Sequence, residues 1–349
     1  MQSATDWVAG LSPWPEEFGL ERMQKLLADL GEPQRRYPSV HVVGTTGKGT
    51  ATRTIEELLR AEGLWVGAYL SPHVSGWSER IRVDGAGADF ERAVERVRPH
   101  AEGATQFEVL TAAAFAEFAE QGVDVAVVEA GLGGRHDATN VIDAKIVLLT
   151  NVALEHTAVL GTTREAIARE KLAVAGPNAT VVLGEPEWEA LVPGRRVLDG
   201  GAREAAEAFL GRPIAREVSV SLPGRLERRG SEIWDGAHTP EAADWLLARL
   251  PESDYVLCVS ILADKNVDAI LERLARAGRT LVATRSSNPR AIPEMELATR
   301  AEPYFEHVEA IADPALAVRR SRELAGDGGR VLVTGSLYLL ADLYDAGIA

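Results

Sequence analysis

Residues 40–50 read Val-His-Val-Val-Gly-Thr-Thr-Gly-Lys-Gly-Thr, an apolar run that ends in a loop of glycines, threonines and one lysine. A helical pattern follows, with Ile55 and Leu59 on its apolar side and Glu56 on its polar side. Glycine lets the backbone approach a ligand closely, and a helix N-terminus presents free N–H groups to an anion. The order strand, glycine-rich loop, helix therefore predicts a phosphate-binding site.

The predicted nucleotide-binding residues are those of the loop: Gly44, Thr45, Thr46, Gly47, Lys48, Gly49 and Thr50. Lys48 supplies a positive charge for the β- and γ-phosphates, and Thr50 offers a hydroxyl to Mg²⁺. The spacing differs from a standard Walker A loop, because only two residues separate Gly44 from Gly47 and because Gly49 follows the lysine. An ordinary strand-to-helix turn is the alternative, but it does not explain a lysine in the middle of the turn.

Composition bounds the class of protein. At 349 residues, with 46% hydrophobic and 26% charged residues, we expect two soluble globular domains. The net charge of −15 argues against a nucleic-acid partner. The single cysteine, Cys258, lies in an apolar run, which favours a buried structural thiol. No leader pattern and no apolar run of membrane-spanning length are present, so we expect a cytoplasmic protein without a membrane partner.

Polar residues follow the other predicted strands of the first domain. The strand at 65–70 ends at Ser71, and the strand at 123–129 ends in Glu129, the position of a Walker B carboxylate that binds Mg²⁺. The strand at 145–150 leads to His156, and Lys171 lies on the next helix. Because parallel strands bring their carboxyl ends to one edge, we expect these groups beside the phosphate loop. The chemistry alone leaves the role of His156 open.

The remaining elements complete an α/β prediction. In the first part of the chain we expect a helix carrying Phe18 and Leu27 and a core helix at 106–121. Between them, residues 74–105 predict a mobile flap that contains a short strand at 81–83 and a helix at 89–97. In the second part, strands at 232–234, 255–260, 280–284 and 330–334 alternate with helices at 240–250, 267–277, 314–324 and 336–345. We predict a P-loop-containing parallel-sheet ATPase domain over residues 1–222, followed by a smaller Rossmann-like α/β C-terminal domain over residues 223–349.

Several short segments occur in a fixed order along the chain: 41–50, Ser71-Pro72-His73, Glu79-Arg80-Ile81, Phe107-Glu108, 128–134, Thr139-Asn140-Val141, Leu154-Glu155-His156, Lys171, 223–227, Asp235-Gly236-Ala237-His238, 261–265, 289–291 and 334–338. Together they resemble the folylpolyglutamate synthase/dihydrofolate synthase family, a branch of the Mur ligase superfamily. The resemblance covers nearly the whole chain. It implies ATP-dependent addition of L-glutamate to a folate or dihydropteroate carboxylate through an acyl phosphate.

The resemblance also implies residue roles. Lys48, His156 and Lys171 resemble the catalytic groups, and Lys171 matches a lysine that is carbamylated in the superfamily. The implied Mg²⁺ ligands are Thr50, Ser71, Glu129 and His156; the implied nucleotide contacts of the second domain are Arg225, Asp235 and His238; the implied substrate contacts are Phe107, Glu108 and Ser336. The implied cofactors are Mg²⁺ and ATP as co-substrate, with K⁺ left open as an additional ion. We expect a monomer.

The chain departs from the family pattern at several positions. Thr46 replaces Asn, Glu155 replaces Asp and Thr239 replaces Asn. The segment at 186–222 is shortened and lacks the family's central motif, with 201–210 as the remnant of a helix. Two alternatives therefore stand beside the folate ligase: another Mur-type amide ligase with a different acceptor, and a non-catalytic nucleotide-binding relative. For Gly335-Ser336, a simple helix N-cap is the alternative to a substrate contact.

Overall fold

The computed structural model describes residues 2–348, which form two compact units. The first unit runs to His73 and from Trp77 to Val220. Its helices and strands are, in chain order, α1 (Ala4–Ala9), α2 (Glu21–Asp29), β1 (Ser39–Val43), α3 (Lys48–Ala61), β2 (Val66–Tyr69), β3 (Ile81–Val83), β4 (Ala86–Gly87), α4 (Phe90–Val97), α5 (Gln106–Gln121), β5 (Val125–Glu129), β6 (Ile146–Leu149), α6 (Thr157–Leu160), α7 (Arg164–Leu172), β7 (Thr180–Leu183), β8 (Arg196–Asp199) and α8 (Ala202–Leu210).

These strands form one eight-stranded sheet in the order β4-β3-β2-β5-β1-β6-β7-β8. All neighbours from β2 to β8 pair in parallel, whereas β3 and β4 are antiparallel to their neighbours. The central strands β1, β2, β5 and β6 are buried along their whole length, as expected for strands covered on both faces. The carboxyl ends of β2, β5, β1 and β6 are therefore neighbours at one edge.

Helices cover both faces of this sheet. On one face, the phosphate-loop helix α3 shares a hydrophobic core with α8, through Ile55, Leu59 and Phe209 among others. The shortened central segment thus contains a real helix, nearly coincident with the predicted remnant at 201–210. On the other face, α5 is the central buried helix, and its bounds agree with the prediction for 106–121.

Three expectations for the first unit were wrong. The predicted short strand at 81–83 is confirmed as β3, but it pairs with β2 and β4 and extends the sheet, rather than being part of a flap. Phe18 precedes α2 and is 48% exposed, and the additional helix α1 lies before it. Glu56 is fully buried, because Arg82 of β3 and Arg53 of α3 both pair with it.

The second unit comprises Val74–Gly76 and the chain from Ser221 onwards. Its elements are β9 (Glu227–Arg229), β10 (Glu232–Trp234), α9 (Pro240–Leu247), β11 (Tyr255–Val259), α10 (Val267–Leu274), β12 (Thr280–Ala283), α11 (Glu294–Ala301), β13 (His307–Ala310), α12 (Pro314–Ala325), β14 (Arg330–Thr334) and α13 (Leu337–Asp345). The sheet order is β13-β12-β11-β14-β10-β9, parallel except for β9.

The two sheets confirm the predicted fold class, with the smaller α/β sheet in the C-terminal part. Sequence periodicity missed β9, α11 and β13. β13 is an edge strand with no fully buried residue, so it lacks the apolar run that marked the other strands. Cys258 is fully buried in β11, as predicted for a structural thiol. Among residues 2–348, no helix has both the length and the apolar character needed to cross a bilayer.

Candidate active site

The phosphate loop links the end of β1 to the start of α3. Gly47 adopts φ 78° and is the N-cap of α3, so the free N–H groups of that helix open onto the loop. Gly44 adopts φ 149°, and a Cβ atom there would overlap Thr150 Oγ1 at the end of β6. Both positions require glycine, one for its left-handed backbone and the other also for its close approach to the neighbouring strand.

Asn151 fixes the loop from the neighbouring strand end. Its carbonyl accepts from the Thr45 N–H at 3.0 Å, and its side-chain Oδ1 accepts from the Thr46 N–H at 2.9 Å. Its Nδ2 in turn donates to Thr46 Oγ1 at 2.9 Å. Sequence reasoning did not select Asn151, although a polar residue directly after a buried strand was the signal that identified Ser71 and Glu129.

Two lysines converge on the carbonyl oxygen of Gly44. Lys48 Nζ donates to it at 3.1 Å and also to the Thr45 carbonyl at 3.3 Å. Lys171, which is 1% exposed, donates to the same Gly44 oxygen at 2.7 Å and to Glu155 Oε1 at 2.7 Å. The structure therefore brings the two predicted catalytic lysines to one point of the phosphate loop.

Burial and charge act against each other in the Lys171–Glu155 pair. Burial lowers the pKa of Lys171, and the Glu155 carboxylate opposes that effect without cancelling it. Burial also acts to raise the pKa of Glu155, but the charges of Lys171 and Lys48 outweigh it and the pKa is lowered. Glu155 is thus the ionised counter-charge of a predominantly cationic loop.

Ser71 and Glu129 lie together at the ends of the adjacent strands β2 and β5. The Ser71 N–H donates to Glu129 Oε2 at 3.0 Å, and Glu129 is 4% exposed. Ser71 Oγ is buried and has no hydrogen-bond partner among the described residues. A carboxylate and an unsatisfied hydroxyl are oxygen ligands of the kind that Mg²⁺ prefers, so these two residues fit the predicted ion.

The other predicted metal ligands lie in more open surroundings. Thr50 is exposed in the first turn of α3, where its carbonyl accepts from Thr54. His156 is exposed and adopts φ 45° directly before α6. Within residues 2–348, no group of three or more His, Cys, Asp or Glu side chains could hold a metal ion. A Mg²⁺ ion that is bound together with substrate phosphates needs only one or two protein carboxylates.

Phe107, one of the predicted substrate contacts, lies beside the glycine-rich loop that follows Glu129. Its ring packs against the backbone of Gly131, where a Cβ would lie 2.6 Å from the ring, and it lies 6.0 Å from the ring of Tyr69. Glu108 is 5% exposed, and its carboxylate accepts from the Thr105 N–H and from Arg22 Nε. These contacts give Glu108 a capping role at the start of α5, and a substrate contact by Glu108 stays a prediction.

A buried hydrogen-bond chain behind the loop escaped sequence reasoning. His41 in β1 is fully buried, and its Nε2 lies 2.8 Å from Thr139 Oγ1. Because the Thr139 hydroxyl donates to Asp137, it must accept from His41, which fixes the Nε2–H tautomer. Asp137 also accepts from the Leu132 N–H. Burial lowers the pKa of His41 to about 3, so the ring is neutral. The chain joins β1 to the glycine-rich loop that follows Glu129.

In the second unit, the predicted nucleotide-binding side chains form hydrogen bonds with backbone groups. Asp235 accepts from the N–H groups of Leu226 and Ala237, each at 2.8 Å, and burial raises the pKa of its carboxyl. His238 Nδ1 donates to the Gly236 carbonyl at 2.7 Å. Arg225 donates to the Gly224 carbonyl. These contacts shape the turn between β10 and α9 and leave the predicted nucleotide contacts untested.

Ser336 caps helix α13. Its hydroxyl accepts from the Tyr338 N–H at 3.1 Å, and the residue is 2% exposed. The capping alternative proposed from the sequence is thereby confirmed, and a substrate contact by Ser336 stays a prediction.

Two family models match the chain. The Mur ligase middle domain matches residues 42–181, and the Mur ligase, glutamate ligase domain matches residues 224–337. The chain is 31% identical to the dihydrofolate synthase/folylpolyglutamate synthase of Mycobacterium tuberculosis, over 84% of this chain and 80% of that protein. It is 31% identical to a probable bifunctional folylpolyglutamate synthase/dihydropteroate synthase of Haloferax volcanii, over 97% of this chain but only 49% of that protein.

Two solved structures are also similar to this chain over nearly its whole length. Escherichia coli FolC in complex with DHPP and ADP superposes with a TM-score of 0.84 at 28% identity, over 100% of this chain and 99% of that chain. The bifunctional folylpolyglutamate synthase/dihydrofolate synthase of Yersinia pestis, complexed with AMPPNP and a Mn ion, gives a TM-score of 0.84 at 26% identity, with coverage of 100% and 99%.

Proposed function

Because this chain belongs to the dihydrofolate synthase/folylpolyglutamate synthase family of Mur ligases, we propose that it is an ATP-dependent ligase that joins L-glutamate to the carboxylate of dihydropteroate or of a folate. The observation that carries this proposal is the convergence of Lys48 and Lys171 on the Gly44 carbonyl, at a helix N-terminus. A phosphoryl group transferred at this point would lie among cations and free N–H groups, which is what phosphoryl transfer requires.

The reaction has two steps. The substrate carboxylate attacks the γ-phosphorus of ATP, the bond to the β,γ-bridging oxygen breaks, and an acyl phosphate and ADP form. The amine of glutamate then attacks the acyl carbon, phosphate leaves, and the nitrogen loses a proton. Lys48 and the N–H groups at the start of α3 stabilise the charge on the transferring phosphoryl group in the first step.

Mg²⁺ would neutralise phosphate charge, and Ser71 and Glu129 would hold it, with Thr50 and His156 as further predicted ligands. Lys171 holds the Gly44 carbonyl and is itself paired with Glu155, which fixes the start of the phosphate loop. Carbamylation of Lys171 and a role for K⁺ stay predictions.

The remaining expectations concern the rest of the molecule. Nucleotide contacts by Arg225, Asp235 and His238, and substrate contacts by Phe107, Glu108 and Ser336, are part of the proposal. So are L-glutamate as the amine substrate, a monomeric state, a cytoplasmic location and a functional division after residue 222.

Phosphate release from Mg-ATP tests the proposed function. Reactions contain L-glutamate and either dihydropteroate or tetrahydrofolate, with matched reactions that lack glutamate or the pterin. We expect release that needs both glutamate and one pterin, together with a product heavier by one glutamyl residue in mass spectrometry. Nucleotide binding without pterin-dependent release would contradict the proposal and favour a ligase with another acceptor or a non-catalytic relative.

A further inference from the structure

Arg80 is a buried arginine without a carboxylate partner among residues 2–348. It is 8% exposed, and no ion pair joins its guanidinium to an acidic side chain within residues 2–348. Its Nε donates to Nδ1 of His73 at 2.7 Å, and its Cζ lies 5.8 Å from the centre of the Trp77 ring. Neither contact neutralises the charge, because an aromatic face and a neutral imidazole carry none.

Arg82, two residues further on, differs from Arg80 because it has a carboxylate partner within the chain. Its Nε lies 3.4 Å from the carboxylate of Glu56, which is itself fully buried. Burying a cation without a counter-ion costs several kcal/mol, so buried charges in proteins are normally paired. The isolated charge of Arg80 therefore indicates that its anion comes from outside the chain.

The position of Arg80 limits which anion this is. Its carbonyl accepts from the Leu70 N–H at 2.9 Å, which places the residue at the carboxyl end of β2, beside Ser71. Its charge also acts on the buried hydroxyl of Tyr69, the ring that lies beside Phe107. Arg80 directly precedes β3, and β2 and β5 lie between β3 and the phosphate-loop strand β1, so the backbone of Arg80 is about three strand spacings, roughly 14 Å, from the loop. A carboxylate held by Arg80 would therefore lie apart from phosphates bound at the loop.

The guanidinium is held in a fixed orientation. The ring of His73 packs on Trp77 with centroids 4.4 Å apart, and Trp77 packs on Phe90. Because a guanidinium can only donate, Nδ1 of His73 is the acceptor in its 2.7 Å hydrogen bond with Arg80 Nε. A guanidinium whose Nε is fixed in this way presents its planar fork to a carboxylate with little further loss of entropy.

We infer that Arg80 binds the carboxylate of the acceptor substrate, the group that is phosphorylated in the first step. The inference rests on the proposed function and names a residue that selects its substrate class, a pterin-linked carboxylic acid. Ser71 and Glu129 lie on the adjacent strand ends, so a carboxylate at Arg80 would lie beside the predicted metal ligands.

The test compares binding of dihydropteroate with binding of its primary carboxamide, which has the same shape and no charge. Dissociation constants are measured by calorimetry for the wild-type protein, Arg80→Met, Arg80→Lys and the control Arg82→Met. We expect the wild type to prefer the acid by roughly 10- to 100-fold. Arg80→Met should reduce that ratio to about 1, and Arg80→Lys should retain part of it.

The control separates recognition from folding. Arg82→Met removes a half-buried arginine two residues away, and we expect it to lower the urea midpoint while keeping the acid-to-amide ratio of the wild type. Equal weakening of acid and amide in Arg80→Met would show a structural role and overturn the inference; Arg80→Lys gives the same decision if the Met variant does not fold.

Failure of the proposed function looks different. A wild-type protein that binds neither compound and forms no glutamyl product would overturn both proposals. Product formation by the wild type, with an acid-to-amide ratio that Arg80 substitutions leave unchanged, would overturn only the role of Arg80.

Discussion

Both sheets carry polar residues at the carboxyl ends of their parallel strands, but the two edges use them differently. At the first edge, Lys48 and Lys171 share one carbonyl, and Glu155 balances the second lysine. At the second edge, Asp235 accepts from two backbone N–H groups and Ser336 caps a helix. The first edge concentrates charged side chains around one carbonyl oxygen, whereas at the second edge polar residues shape the turns. A polar residue at a strand end therefore identifies an edge, and its contacts show what the residue does there.

The largest effect should come from removing a charge at the first edge. Lys48→Met should lower kcat for phosphate release by roughly 100- to 1,000-fold, because it removes a cation from the transferring phosphoryl group. The matched control is Lys145→Met. Lys145 directly precedes β6, at the end of the strand opposite the phosphate loop, and donates to the Phe209 carbonyl. The Lys145→Met variant should therefore keep near wild-type kcat. Equal activity in the wild type and Lys48→Met would contradict the view that charge at the first edge acts in catalysis.

Breaking the buried ion pair should affect stability. Lys171→Met leaves the Glu155 carboxylate without its partner and frees the Gly44 carbonyl, so the free energy of unfolding should fall by about 3 kcal/mol. Urea unfolding measures the loss, and Lys171→Met/Glu155→Leu should recover part of it, because no buried charge is then left alone. A single variant as stable as the wild type would mean that the pair is not part of the architecture of the loop.

The buried His41 predicts a dependence on acid. Its pKa is about 3 in the folded protein and about 6.5 when unfolded, so the unfolded state binds more protons between these values. Stability is fully present above pH 6.5 and is lost as the pH falls toward 3. Between pH 7 and pH 5 the wild type should lose about 2 kcal/mol more than His41→Gln, which keeps a donor for Thr139. Parallel stability curves for the two proteins would contradict this.

The smallest effect should occur at the second edge. Ser336→Ala removes the N-cap of α13 and should cost about 1 kcal/mol. Hydrogen exchange in the first turn of α13 measures the change without interference from the other unit. A raised KM for glutamate in the same variant would give Ser336 the substrate contact that the family resemblance implies, and would bring the two edges closer in kind.

Much of the first edge could be predicted because its signals are local. The residue types from Gly44 to Thr50 predict a phosphate loop within one short stretch of sequence. Glu129 and Ser71 each come at the end of an apolar run. The fold class followed from the same alternation of strands and helices. The weakly apolar β13 gave no such signal, and it was missed.

What the sequence did not show depends on pairs that are distant in the chain. Asn151 contacts a loop about a hundred residues earlier, and His41 meets Thr139 across a similar separation. The isolation of Arg80 is a property of everything that surrounds it, which no pattern along the chain contains. Contacts of this kind become visible only when the strand order is known.

The shared carbonyl of Gly44 has a thermodynamic consequence. One oxygen accepts from two ammonium groups. The position of Lys48 and the strength of the Lys171–Glu155 ion pair therefore depend on each other. A nucleotide that draws Lys48 toward its phosphates leaves that oxygen to Lys171 alone. By reciprocity, the free energy by which nucleotide binding strengthens or weakens the pair equals the free energy by which the intact pair alters nucleotide affinity.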